Sequence, residues 1–300
     1  MARKFESLKK RERTSPWLHL FFSVWGVICL IPFLLVVTAS FSNDLDLALY
    51  GYRLIPLKVD FTAYKLLAED MSILVNAYKV TIYVTFMATF LALIVMSLAA
   101  YVLVRKSGSK FGVILTYFLY FPTLFSGGLV PSYIMNTKYL GMLDNLWILI
   151  LPGLVSAMNV FMIRTFIQQQ PYSLVEAAKL DGASEFQVYL RIAMPLAKPV
   201  LATVGFNLAL SNWNQWYNSM VYIRSNDKVT LQHLLQRMMM NFNAILSQIE
   251  HGLQGVSIKD IPGESMRMAM LVIAIGPMMF IFPFFQKYFV KGMVLGSVKG

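Results

Sequence analysis

Six stretches of this chain run for nineteen residues or more without a single Asp, Glu, Lys or Arg, and no motif constrains the fold as tightly. A helix that crosses about 30 Å of hydrocarbon needs about 20 mostly apolar residues. The windows lie between Arg13 and Asp44, Lys79 and Arg105, Lys110 and Lys138, Asp144 and Arg164, Lys198 and Arg224, and Arg267 and Lys287. Charged residues make up only 14% of the chain, against about 25% in an ordinary soluble domain. The expectation is an all-α, polytopic membrane protein with six transmembrane helices in a single domain over residues 1–300.

The first window follows a basic stretch from Arg3 to Arg13. It is too long for a signal peptide and lacks a small-residue cleavage pattern, so it reads as a retained first helix. Cys29, the single cysteine, lies inside it, which excludes a disulfide framework and a cysteine zinc site. Basic residues mark cytoplasmic segments. With the N-terminus inside, the segments 1–17, 105–110, 164–198 and 287–300 hold sixteen basic and five acidic residues, while 40–79, 136–144 and 222–267 hold ten of each. Both termini are therefore expected in the cytoplasm, in a multi-pass protein of the cell (inner) membrane. The net charge of +11 then faces anionic lipid rather than nucleic acid.

The helices are expected at about 18–40, 80–104, 111–135, 145–163, 199–222 and 268–288. The third contains Pro122, Gly127, Gly128 and Pro131 and should be broken and packed inward. The sixth should kink at Gly276, Pro277 and Pro283. In the long outer loop 222–267, Leu231, Leu234, Leu235, Met238, Phe242, Ile245 and Ile249 recur at helical spacing. That segment fits a helix that lies on the membrane or caps the bundle, with partner docking as the other reading.

The segment about 171–198 is densely punctuated. Ser173 with Glu176, and Ser184 with Gln187, have the spacing of capping boxes, and Gly182 lies between them. Glycine there closes one short helix and turns the chain into a second. Small residues at Ala177, Ala178 and Ala183 leave the surface thin enough to enter a groove, although an ordinary helical hairpin has the same punctuation. The run Glu176-Ala-Ala-Lys-Leu-Asp-Gly-Ala, with Ile192 and Pro195, resembles the cytoplasmic coupling loop of ABC-importer permeases. With the helix count, the amide-rich fifth helix and the ending from Phe289 to Gly300, the chain is similar over nearly its whole length to carbohydrate-uptake permeases of the maltose transporter type.

That resemblance implies an ABC importer type I permease fold, alternating access and import of a di- or oligosaccharide. It places Glu176, Ala177, Ala178, Asp181 and Gly182 in a coupling helix seated in an ATPase cleft, Glu176 facing a basic residue there. The tail through Lys299 and Gly300 resembles one that reaches the same interface. The implied partners are a second permease subunit, two ATP-binding subunits and an extracytoplasmic solute-binding protein. The chain has no Gly-x-x-x-x-Gly-Lys-Ser/Thr loop, no His-Glu-x-x-His helix, and only the scattered His19, His233 and His251. No cofactor is expected on this chain, ATP and Mg belong to the partner subunits, and no enzymatic activity is expected of it.

The fifth helix carries Asn207, Ser211, Asn212, Trp213, Asn214, Gln215, Trp216, Tyr217 and Asn218 in a charge-free window. Amides at membrane depth face a bundle interior or a wet cavity, and sugars present hydroxyls to amides and ring faces to Trp213, Trp216 and Tyr217. The same residues also fit an aromatic belt with amides joining helices. Regular 3.6-residue spacing puts Asn207, Ser211, Asn214 and Asn218 on one face, and that stripe is read as the substrate path. Lys79 and Arg105 read as boundary anchors. A permease for a non-sugar solute, or a motor-independent channel lined by the same stripe, are the alternatives; a channel leaves the 171–198 loop unexplained.

Overall fold

The computed structural model describes residues 16–69, 71–250 and 263–297. The basic stretch Arg3–Arg13, His251 and the tail residues Lys299 and Gly300 lie outside them, as do the side chains of Phe242, Ile245 and Ile249. The helices in chain order are α1 (Pro16–Ser40), α2 (Asp44–Tyr50), α3 (Thr62–Glu69), α4 (Met71–Arg105), α5 (Lys110–Leu124), α6 (Leu129–Ile134), α7 (Trp147–Ile150), α8 (Ala157–Gln168), α9 (Tyr172–Leu180), α10 (Glu185–Val188), α11 (Met194–Leu196), α12 (Lys198–Trp213), α13 (Tyr217–Tyr222), α14 (Leu231–Glu250) and α15 (Glu264–Ser297). Among the described residues, α1 and α4 alone are long and apolar enough to cross a membrane; five spans result if each of three bent pairs counts as one.

The chain divides into two compact units. In the unit made of Met1–Asp70 and Asn241–Ile275, α1 exposes its apolar side chains, Trp17 and Phe22 among them. Asn43 caps α2 by accepting the Leu45 amide at 2.9 Å, and Gly51 ends the helix at φ +70°. The segment up to α3 folds locally: Phe41 stacks on Tyr64 at 4.9 Å, and Asp60 accepts both the amide and the hydroxyl of Thr62. Asp44 then caps α15 across sequence by accepting the Ser265 amide at 2.8 Å. Gly263 leaves room for that carboxylate, since a Cβ there would lie 1.9 Å from it.

In the unit made of Met71–Met240 and Gly276–Gly300, α8 and α12 pack chiefly on α4. This 35-residue helix contains neither Gly nor Pro, the usual causes of kinks, and spans about 52 Å at 1.5 Å per residue. Its buried stripe is rich in small residues (Ala77, Ala88, Ala92 and Ala100), which lets α8 and α12 approach closely. Gly205 on α12 belongs to the same packing: a Cβ there would sit 3.1 Å from Leu93. Between such apolar helices, close van der Waals packing rather than expulsion of water holds the contact in a lipid environment.

The two halves of α4 serve different cores. Met96, Ala100 and Leu103 pack with Val160 and Ile163 of α8, Val188 of α10 and Val204 of α12. Ala77, Val84 and Ala88 pack with Ile148 to Ile150 of α7, Tyr222 of α13 and Leu234 of α14. The amphipathic segment at 231 is therefore a helix whose first turns cap this second core.

The expected third, fourth and fifth helices are each interrupted. The third bends by 117° between α5 and α6, at Gly127 and Gly128 as anticipated, while Pro122 is accommodated inside α5. This bent span packs inward along one face only: Leu115 and Leu119 lean on the first core and Tyr133 on the second, while Phe118, Phe121 and Val130 are exposed. The fourth bends by 51° between α7 and α8. The fifth ends at Trp213 and resumes as α13, and its entry from α10 turns by 78°. The last helix, α15, runs without interruption through Pro277 and Pro283.

Candidate functional site

The loop between α8 and α12 is fixed by its local chemistry. Asp181 ends α9, and Gly182 takes φ +80°, where a side chain is disfavoured. The Gly182 amide donates to the Lys179 carbonyl at 3.0 Å and the Ala183 amide to that of Ala178 at 2.9 Å, the paired bonds of a Schellman turn. Ser184 and Gln187 then form the anticipated capping box of α10, with bonds of 3.3 and 2.8 Å. The first expected box is corrected. Pro171 is the N-cap of α9, its carbonyl accepting the Leu174 amide at 3.3 Å, and Ser173 makes no cap bond. Proline's fixed φ starts the helix ahead of the serine.

Glu176, Ala177, Asp181 and Gly182 lie on the open surface of this hairpin, whereas Ala178 leans on the core beneath. Leu180 is 89% exposed at the tip and Phe186 is also exposed. Between the 178–183 turn and Gln187, Arg191 and Ile192 lies a cleft of about 390 Å³.

Beneath the hairpin sits a cluster not anticipated from sequence. Glu185 Oε2 accepts from Arg105 Nε at 3.1 Å and from the Tyr101 hydroxyl at 2.8 Å. Its Oε1 accepts from Arg105 Nη2 at 3.0 Å and from Lys179 Nζ at 2.6 Å. The two-pronged Arg105 contact, with Lys179 and Tyr101 beside it, drives the Glu185 carboxyl down to about 2. Arg105 also lies over the Tyr172 ring at 5.7 Å, and Tyr189 shares a buried 2.8 Å hydrogen bond with Ser97. Arg105, expected only as a boundary anchor, is thus a clamp residue.

At the opposite end of α4 a second carboxylate works differently. Asp144, the one described non-glycine residue at positive φ (58°), accepts the Arg224 and Ser225 amides at 3.0 Å each. It also accepts the Ser225 hydroxyl and Lys228 Nζ, at 3.2 Å for the latter. These bonds, the Ser225 hydroxyl first, hold its carboxyl far below the ordinary aspartate range. The segment it gathers is tied to α4 by Asn76, which donates to the Asp227 carbonyl at 2.5 Å, and by Thr81, which accepts the Leu231 amide at 2.7 Å. Next to it, buried His233 pairs with Ser219 at 3.0 Å, and burial, followed by the Arg237 charge, lowers its pKa.

The fifth-helix residues separate into three environments. Asn207, Ser211 and Asn214 are exposed along one edge of α12, with Asn214 bonded to the Leu210 carbonyl and to Gln232. Trp213 is buried; it neighbours Tyr78 and walls an apolar cavity of about 510 Å³ with Phe86, Phe90 and Gly205. Asn218 lines a more polar cavity of about 500 Å³ with Ser132, Asn136 and Tyr222, while Trp216 and Tyr217 meet edge to face at 5.8 Å. The single face expected for Asn207, Ser211, Asn214 and Asn218 is corrected: the helix stops at Trp213, and 214–216 break its register. The side-chain amide of Asn214 bonds back to its own turn, competing with the backbone that would continue the helix.

Ser132, Asn136 and Tyr222 join Asn218 only because the breaks at 125–128 and 214–216 fold α6 and α13 against one another. Spacing along the sequence carries no signal for that meeting. For the Arg105 cluster there was a faint one, since Tyr101 and Arg105 are four residues apart on one helix face.

Residues 81–295 match the family described as binding-protein-dependent transport system inner membrane component. Protein LplC of Bacillus subtilis is 35% identical over 94% of this chain and 93% of its own length. The polygalacturonan/rhamnogalacturonan transport system permease protein YtcP of the same organism is 32% identical over 93% of this chain and 96% of its own. Among solved structures, a chain of a bacterial ABC transporter involved in the import of the acidic polysaccharide alginate superposes with a TM-score of 0.74 at 25% identity, covering 90% of this chain and 94% of that one.

Proposed function

The chain belongs to the family of binding-protein-dependent transport system inner membrane components, and from that premise we propose that it is one permease subunit of an ATP-driven importer for oligosaccharides. It works with other ABC transporter components. In this reading these are a second permease, two ATP-binding subunits that carry ATP and Mg, and an extracytoplasmic solute-binding protein. The six charge-free windows become six membrane crossings with both termini cytoplasmic, which puts the 171–198 loop and the Arg105 end of α4 inside and the Asp144 end outside.

The observation that carries the reading is the hairpin at 176–184. It is rigidified by a Schellman turn and a capping box, it presents Glu176, Asp181 and Leu180 to solvent, and it lies within the family-matched span. In this role Glu176, Ala177, Ala178, Asp181 and Gly182 enter the ATPase, Glu176 toward a basic side chain. A motor-independent channel has no use for such a surface. The oligosaccharide class draws on the relatives, among them YtcP and the permeases for arabinooligosaccharides and galactooligosaccharides.

Solute passes along the exposed edge of Asn207, Ser211 and Asn214 and the cavity at Asn218, where amides and hydroxyls replace water around sugar hydroxyls. Trp216 and Tyr217 offer ring faces beside it. Trp213, enclosed in apolar surroundings, supports the path from behind. Mild-detergent purification from the native membrane, followed by mass spectrometry and an ATPase assay, tests the assembly. Copurification of an ATP-binding subunit and a second permease is expected, with ATPase lost in a Gly182→Val variant. Elution alone, without ATPase, removes the reading.

A further inference from the structure

The 171–196 segment is covalently joined to α8 and α12, yet its strongest polar contacts go to α4. The Glu185 carboxylate takes three of its four hydrogen bonds from outside its own hairpin, all from the last turns of α4, and Lys179 of α9 takes up the fourth. Arg105 reaches the start of α9 at Tyr172 while Lys179 anchors its end, so both short helices of the hairpin are held on one guanidinium–carboxylate pair. The two-pronged geometry resists rotation as well as separation.

What α4 does with this hold follows from its construction. Three other spans of this unit bend by 117°, 51° and 78°, whereas α4 is one uninterrupted helix without Gly or Pro. At its Met71 end it grips the 226–231 segment through Asn76 and Thr81. Its two halves contribute to both cores.

We propose that the Arg105–Glu185 pair is the joint through which displacement of the 171–196 hairpin reaches the opposite end of α4, with α4 as the strut that carries it to the 226–231 segment. Arg105 and Glu185 are positioning residues; neither touches solute or nucleotide. The inference rests on the transporter reading above, since it takes the hairpin to be what the motor moves. Breaking the joint leaves the hairpin attached to the motor and releases the far end from it.

The test uses the purified complex of this chain with its ATP-binding subunits in lipid nanodiscs, carrying Cys29→Ser and a reporter, Asp227→Cys, at an exposed position of the far segment. The reporter's reaction rate with a membrane-impermeant maleimide is measured with and without ATP and vanadate. With the joint intact, nucleotide should change the rate by at least about threefold, the signature of a shifted two-state population. With Glu185→Ala, that response should disappear while ATP hydrolysis stays within about twofold. Arg105→Ala and the double variant should behave as Glu185→Ala does, because one joint cannot be broken twice.

An undiminished nucleotide response in Glu185→Ala overturns the inference, as does an intact complex that hydrolyses ATP without any response at Asp227→Cys. If Glu185→Ala loses hydrolysis, Arg105→Lys decides, since it keeps the charge and removes the fork: a reduced response with hydrolysis retained supports the joint. Hydrolysis and response falling together, or an unchanged response, overturns it. Absence of any ATP-binding subunit from the preparation is a separate result, which defeats the permease reading itself.

Discussion

Near each end of α4 lies a carboxylate clamp, Glu185 bound to the helix itself and Asp144 to the segment that Asn76 and Thr81 tie to it, and the two are built in opposite ways. At the Arg105 end, Glu185 is half exposed and every partner is a side chain. At the Asp144 end, the carboxylate meets two backbone amides, and its own carbonyl takes Lys228 Nζ at 2.8 Å. Side chains can change partners by rotating, whereas backbone amides cannot leave without unfolding their segment. The difference fits the Arg105 end to transmission and the Asp144 end to stability.

Asp144→Ala should therefore have the largest effect on folding. It removes the acceptor for four donors and puts a less tolerant residue at φ 58°, and a loss of about 3 kcal/mol is expected by denaturant titration in mild detergent. A loss no greater than that of Glu185→Ala would erase the distinction between the two ends.

Gly182→Val comes next, and it separates shape from stability within the hairpin. A β-branched residue at φ +80° is strained by about 1–2 kcal/mol, with open space around it, so the protein should still fold. Solute-stimulated ATPase should nevertheless be lost, because the turn that aligns Glu176 with Asp181 is gone. Glu185→Ala should be milder on stability, about 1 kcal/mol or less in the same titration, as expected of exposed ion pairs. Its consequence lies in transmission rather than folding.

The contrast also marks what was legible in the sequence. Charge-free windows located α1 and α4 because lipid imposes length and composition on a straight span, and the paired glycines announced the break between α5 and α6. The turn at Gly182 and the cap at Ser184 were legible because their bonds close within three to five residues. Neither carboxylate clamp was. Arg105 and Glu185 are 80 residues apart, and Asp144 and Arg224 are 80 apart as well, so their pairing depends on how α4, α8 and α12 pack. The break after Trp213 was hidden for another reason: Asn214 ends the helix by a side-chain bond, without the Gly or Pro that ordinarily marks an end.

Acid sharpens the comparison with the smallest expected effect. Glu185 titrates at about 2 when folded and near 4.3 in an unfolded chain, so its contribution is complete above about pH 4.3 and is lost only as pH falls toward 2. Asp144 shifts in the same direction and holds in the same range. His233 shifts the other way in consequence. Its folded pKa lies below the ordinary 6.5 because burial penalises the charged ring. The unfolded chain takes up the proton first, and stability falls as pH drops below about 6.5. Between pH 7 and pH 5 the Arg105 end should therefore keep its hold while the Ser219–His233 contact near the Asp144 end weakens. Hydrogen-exchange protection of the 219–235 amides, taken relative to their intrinsic rates at each pH, should fall over that interval while that of 185–193 stays constant, and His233→Gln should flatten the first response. An equal loss of protection at both ends, or a pH dependence that survives His233→Gln, would assign the acid sensitivity to groups outside this contact.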